Sequence, residues 1–330
     1  MGFLGGFTDR FVIALGVWPF ASIMLTLPIL AFLYNRDGRL RFWSVVGAYL
    51  SVLYALGLVF FTLWPLPSGD SGLGITYGVP PQLDPFAFIG DISKDGLTAV
   101  FQIVANIAFF VPLGFILRRG LHRSLEASAV ISFATSLLIE TAQLTGLFGI
   151  YPYSYRTFDV DDLIWNTAGA LAGWAVAKLI ERILPQAQCV EKSVQTHPGI
   201  VQRAVAFLLD MTIVGIVGYL SMALVSTLAC LLGFDGGLHT GIAGSATVLA
   251  LFVVFIVIEV LMPWVSGGQT PGGTFVRMTV EEHPRSERYR LMFYGARMLI
   301  IVGCLIMPPM IIVVGIYYLA KRQMPYDAIP

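Results

Sequence analysis

Apolar residues in this chain gather into long unbroken runs instead of alternating with polar ones. Eight runs stand out, at about 14–34, 43–64, 98–117, 124–144, 160–181, 203–232, 241–264 and 294–319. A helix of about 20 apolar residues crosses a hydrocarbon core of ~30 Å. Lipid offers no partner to backbone N–H and C=O groups, so an apolar run of this length predicts a helix that satisfies its own. The expected fold class is therefore all-α, a polytopic transmembrane helical bundle of about eight spans in a cell membrane. The opening segment, MGFLGGFTDRFVIALGVWPF, has neither a basic start nor a small-residue cleavage site, and reads as a retained helix. Pro308-Pro309 in the last run predicts a kink or a helix end.

Composition agrees with a membrane setting. Of 330 residues, 57% are hydrophobic and 12% charged, with mean hydropathy +0.79; a soluble chain carries about twice that charge. Loops rich in Lys and Arg tend to stay in the cytoplasm. With the first helix entering from outside, the cytoplasmic segments are the turn holding Arg36, Arg39 and Arg41, the group Arg118, Arg119 and Arg123, Lys178 through Arg203, and Arg277 through Arg297. Together they hold 15 of the 20 basic residues. Arg10, Lys94, Arg156, Lys321 and Arg322 fall on the other side.

A net charge of zero provides no basic stripe for phosphates, so no nucleic-acid partner is expected. Cys189, Cys230 and Cys304 stand singly, which excludes a disulfide framework or a CxxC site. His122, His197, His239 and His283 match no metal-ligand spacing, and no cofactor is expected. The polar stretch between Leu184 and Gly199 reads as a linker. It divides the chain into a first unit, 1–183, with five spans, the linker 184–199, and a second unit, 200–330, with three. The first unit has a long extracytoplasmic loop from Pro65 to Gly96 with Asp70, Asp84, Asp91 and Asp95. No internal repeat relates the halves, which argues against an inverted-repeat transporter.

Polar residues inside the runs point to a site. An ionisable group at the centre of a span costs about 2.5–3.5 kcal/mol to insert and usually has a partner and a purpose. In the fourth run Ser128, Ser132, Ser136, Glu140 and Gln143 share a helix face. The serines alone are explained by close helix packing; Glu140 is not. In the fifth, Asp159, Asp162 and Asn166 fall at i, i+3 and i+7, with Asp161 turned away. Acids here also serve as helix caps and dipole partners. Arg156, the one cation between Arg123 and Lys178, suits Glu140 or an anionic ligand. Asn106 in the third span reaches a similar depth. Gly169 and Gly173 form a GxxxG contact motif. If a metal binds, its ligands are Glu140, Asp159 and Asp162.

The stretch NIAFFVPLGFILRR, the pair Glu140 and Gln143, and RTFDVDDLIWNTAGALAG resemble the VanZ-like family over about residues 40–182. The resemblance implies functional positions at Asn106, Pro112, Gly114, Glu140, Gln143, Arg156, Asp159, Asp162, Asn166 and Gly169, and a process, resistance to the lipoglycopeptide teicoplanin. VQRAVAFLLDMTIVG and GGQTPGGTFVRMTV resemble the RDD family. That resemblance implies roles for Arg203, Asp210, Gly268, Gln269, Thr270, Pro271 and Gly272. Gly273 stands where that family usually has lysine, and Glu259 is the nearest acid to a second aspartate. At spacing seven, Arg203 and Asp210 lie ~10 Å apart along a helix and are expected to bind other groups, not each other.

Two motifs carry nothing further. GGQTPGG lacks the Gly-Lys-Ser/Thr of a phosphate loop. Gly69-Asp70-Ser71-Gly72 has no histidine partner nearby. The expected function is a membrane protein, not primarily an enzyme, whose outward polar pocket engages a lipid-linked cell-wall intermediate or an amphiphilic antibiotic beside membrane lipid. The alternatives are metal-dependent hydrolysis or transfer on a polyprenyl-phosphate-linked substrate, and ion or proton movement through the RDD-like unit.

Overall fold

A computed structural model describes residues 2–64, 66, 80–151, 154, 156–185, 194–233 and 236–330, with side chains left undescribed at 2–7, 236–240, 242 and 243. Asp70 with the Gly69–Gly72 run, Cys189, the His239 side chain and half of the linker, 186–193, lie outside that description. Among the described residues the structure is helical without strands, and eight helices are long and apolar enough to cross a membrane. Close contacts divide the chain into two compact units, Met1–Leu25 with Phe42–Gln188, and Thr26–Arg41 with Cys189–Pro330.

The first unit contains the start of α1 (Gly2–Asp37), then α2 (Phe42–Leu63), α3 (Ala87–Asp95), α4 (Leu97–Phe115), α5 (Leu125–Leu144) and α6 (Val160–Ile183). Helix α4 runs on into a π-helical turn, Ile116–Gly120, and Ser124 caps α5 by accepting the Ala127 N–H at 3.2 Å. Burial is inverted relative to a soluble protein. On α5 the side chains of Ser128, Ser132 and Ser136 are fully buried, while Val130 is 68% exposed. Such a surface needs lipid as its solvent.

Glycine brings α4 and α6 together. A Cβ at Gly114 would overlap the Ala170 carbonyl, one at Gly169 the Ile107 carbonyl, and one at Gly173 that of Val111. The obstacles are backbone atoms, which no rotamer change can move aside. Trp174 extends the interface by donating its indole N–H to the Arg123 carbonyl at 3.1 Å. The Arg118 guanidinium stacks 5.2 Å from the Trp174 ring and pairs with Glu181 at 2.6 Å.

The second unit contains the end of α1, then α7 (Ile200–Leu231), α8 (Gly236–Ile256), α9 (Pro271–Phe275), α10 (Glu287–Ile306) and α11 (Pro309–Lys321). Helix α8 continues through a π-helical turn at Val257–Leu261. The last apolar run is two helices: Met307 leaves helical geometry, and Pro308 and Pro309 start α11. The eighth span is therefore Glu287–Ile306, and α11 is a shorter apolar helix of 13 residues. Arg288, Arg290 and Arg297, grouped with loop cations on sequence, lie in α10. The core gathers Val276, Met278 and Val280 around Phe293, Tyr294 and Tyr326.

Gly173→Leu is expected to destabilise the first unit by at least the ~1–3 kcal/mol of an overpacked core. Gly57→Leu, where nothing lies within 4 Å of an added Cβ, stays within about 0.5 kcal/mol of wild type. Thermal unfolding in micelles checks both, and equal midpoints for the two variants would contradict the contact.

Candidate functional site

In the first unit, the end of α5 and the start of α6 collect the polar groups. Glu140 is 3% exposed and accepts the Asp159 N–H at 3.2 Å. Asp162 receives the Asn106 amide of α4 at 2.5 Å. Asn166, one turn further into α6, donates to Ser136 of α5 at 2.9 Å. Gln143 donates to the Thr62 carbonyl at the end of α2, at 2.7 Å. Residues from α2, α4, α5 and the start of α6 are thus joined by amide bonds to an acid, a hydroxyl and a backbone carbonyl.

Arg156 is exposed, and among the described residues it makes no ion pair with Glu140 or any other acid. Asp159 occupies the N-cap position of α6 but its side chain makes no capping bond. Its carboxyl is held above the usual aspartate range, first by burial and then by the charges of Asp161 and Asp91. Asp161 turns away from Glu140, as its place on the helix predicts, and is buried, accepting the Phe88 N–H of α3 at 2.9 Å. Phe88 meets Trp165 edge to face at 5.4 Å, and Gln82 pairs with Phe158 and Val160 through its backbone, at 2.8 and 3.1 Å. The short helix α3 is thereby fastened to the first turn of α6.

The link from α5 to α6 is strained. Gly146, Leu147, Phe148 and Gly149 take φ values of 62°, 56°, 58° and 88° in succession. Left-handed backbone costs a side-chain-bearing residue about 1–2 kcal/mol. The turn leaves Phe148 60% and Ile150 75% exposed close to the acids.

No group of three His, Cys, Asp or Glu side chains among the described residues is placed to hold a metal ion. The arrangement is rich in acceptors: the buried Glu140, the half-buried Asp162, and the Asn166 Oδ1, which has no hydrogen-bond partner among the described residues.

The second unit gives its motif residues a different setting. Asp210 is 1% exposed and accepts the Gly272 N–H at 2.7 Å. Thr270 caps α9 by accepting the Gly273 N–H at 2.9 Å, with Pro271 in the first turn. Gly268 has φ of 88° and lies against Thr279; Gln269 is held through its carbonyl by the Ser266 hydroxyl at 2.7 Å. A Cβ at Gly273 would stand 3.0 Å from Thr270 Oγ1 and 3.2 Å from the Met278 carbonyl, so a larger residue would press on both. Arg203 does not reach Asp210. It pairs with Glu282 at 2.7 Å and Asp327 at 2.9 Å.

A buried ion pair that motif reading missed lies in the same unit. Glu259, fully buried in the π-helical turn, pairs with Arg297 of α10, which also donates to the Glu259 carbonyl at 2.6 Å. The signal was there: one acid and one base of opposite sign, each inside an apolar run. Ser136, Asp161, Glu282 and Asp327 were less legible, because their partners are distant in sequence.

Residues 48–181 match the family model described as VanZ/LLP1, and residues 197–329 match that described as the RDD family. No curated protein and no solved structure matches the chain.

Arg297→Met leaves a buried Glu259 without its partner and is expected to cost about 3–5 kcal/mol, whereas Arg297→Met with Glu259→Met recovers most of that loss. Unfolding midpoints of the single and double variants measure this. A double variant no more stable than the single would contradict the pairing.

Proposed function

We propose that the first unit, which holds the VanZ/LLP1 match and is followed by the RDD family match, engages the head group of a lipid-linked cell-wall intermediate, or of an amphiphilic antibiotic such as teicoplanin, at the outer face of the cell membrane. The observation that carries this reading is the junction of Glu140, Asp162, Asn106 and Asn166 at one end of three apolar spans. The loop cations put that end outside under the positive-inside rule. The Glu140 and Asp162 carboxylates and the Asn166 Oδ1, which has no hydrogen-bond partner among the described residues, suit hydroxyl or amine donors on a ligand. Arg156 at the exposed rim suits a phosphate or carboxylate, by a bidentate bond. Phe148 and Ile150 give a lipid tail an apolar neighbour.

A second reading, ion or proton movement through the second unit, is favoured by one observation: Glu259 Oε1 and Arg297 Nε are buried without hydrogen-bond partners among the described residues. Dissipation of a pH gradient in proteoliposomes, lost in Glu259→Gln, would support it, and dissipation unchanged in that variant would remove it.

A sensitive Gram-positive host expressing the protein is expected to survive teicoplanin better than vancomycin. Glu140→Gln and Asp162→Asn, at equal membrane levels, are expected to lose that protection. Equal protection by wild type and both variants would remove the acids from function, and no protection by wild type would remove the proposal.

A further inference from the structure

The row that ends at Glu140 runs the whole length of α5. Ser124, Ser128, Ser132, Ser136 and Glu140 recur every four residues, an inclined ridge on the helix surface. Ser124 is exposed at the helix start, and the row climbs about 24 Å from there to Glu140. Its middle members, Ser128, Ser132 and Ser136, are fully buried. Ser136 accepts the Asn166 amide. Among the described residues the hydroxyls of Ser128 and Ser132 have no hydrogen-bond partner, and neither does Oδ1 of Asn166, whose amide reaches the row at Ser136.

Close packing alone does not account for this. Alanine or glycine would pack as tightly without a hydroxyl to bury, and a buried hydroxyl without a partner is costly. Spacing suggests what satisfies them. Neighbours in the row rise about 6 Å from one another. Hydrogen bonds of about 2.8 Å meeting at a bent water span about 4.6 Å, so two waters in series bridge each gap. Buried water of this kind is held by two to four polar partners, which the hydroxyls and the Asn166 carbonyl supply.

We propose that a file of water lies along this row between Ser124 and Glu140 and passes protons between them. In each step one oxygen takes a proton from its neighbour as that neighbour's O–H bond breaks. Every water and hydroxyl is restored by the next step, and nothing is oxidised or reduced. Glu140 is the terminal carrier; the charged groups facing it are Asp162 of α6 and Asp159 and Arg156 of the preceding loop. At the other end lie Arg123 and Glu126, both exposed. The inference rests on Glu140 being the working acid of the function proposed above, and it adds a supply of protons to that acid from the opposite end of α5.

The test uses the full chain in liposomes loaded with a pH-sensitive dye, with a potassium potential set by valinomycin. Wild type is expected to pass protons faster than protein-free vesicles. Ser132→Ala is expected to fall to the protein-free rate, Ser132→Thr, which keeps the hydroxyl, to retain flux, and Thr135→Ala, which removes a hydroxyl of the same helix that bonds the Ile131 carbonyl instead, to retain it as well; Glu259→Gln is run beside them to separate flux through the second unit. Ser128→Ala serves in place of Ser132→Ala should the latter fail to insert. No flux in wild type, equal flux in Ser132→Ala, or flux lost only in Glu259→Gln would overturn the proposal. A wild type that protects cells but passes no protons removes the water file alone. One whose flux depends on Ser132 but which protects no cells removes the cell-wall reading alone.

Discussion

Backbone contact between α4 and α6 sets the geometry on which the first unit depends. Gly114, Gly169 and Gly173 allow each helix to press against carbonyl groups of the other, an approach that any side chain would prevent. In lipid there is no hydrophobic drive to bring helices together, so packing and interhelical hydrogen bonds must do it. The close approach also lets Asn106 reach Asp162 across the pair. Helix α5 joins through Asn166 and Ser136, and α2 through Thr62 and Gln143. Bonds of this kind contribute about 0.6 kcal/mol each on average. They act here mainly to fix where the acids stand.

The two units handle buried charge differently. In the first, carboxylates are met by amides and a backbone N–H, so the acids keep their acceptor character and their unspent lone pairs. In the second, Glu259 is matched by Arg297, and Asp327 and Glu282 by Arg203, so acids there face a cation. Asp210 takes a third course, holding the loop of the GQTPG motif through the Gly272 amide. A site that leaves acceptors open is suited to receive donors from a ligand or from water. Paired charges are suited to hold loops and helices in register.

How much of this was legible in the sequence follows from what each feature depends on. The spans were legible because length and apolarity alone decide them, and the eight helices follow the eight runs. The end of the last span depended on local chemistry at Pro308-Pro309, which could kink a helix or stop it; the backbone breaks at Met307. The face carrying Ser128 to Glu140 was legible from helical period, as was the closeness of Gly169 and Gly173 to another helix. What the sequence did not reveal were pairings between distant segments. Arg156, suited on sequence to Glu140 or to an anionic ligand, stands exposed, and Glu140 meets the Asp159 backbone. Arg297 resembled a loop cation until its place in α10 beside Glu259 was known. Composition describes which charges exist, and only packing decides which of them meet.

The central claim is that the glycine contact places Asn106 against Asp162. Asn106→Cys with Asp162→Cys, in a chain whose Cys189, Cys230 and Cys304 are replaced by serine, tests it by oxidative cross-linking in native membranes. A disulfide forms only when the two Cα atoms come within about 7 Å. The account predicts efficient cross-linking in that chain and little when Gly169→Leu is added. Equal yields with and without Gly169→Leu, or no cross-link in either, would contradict it.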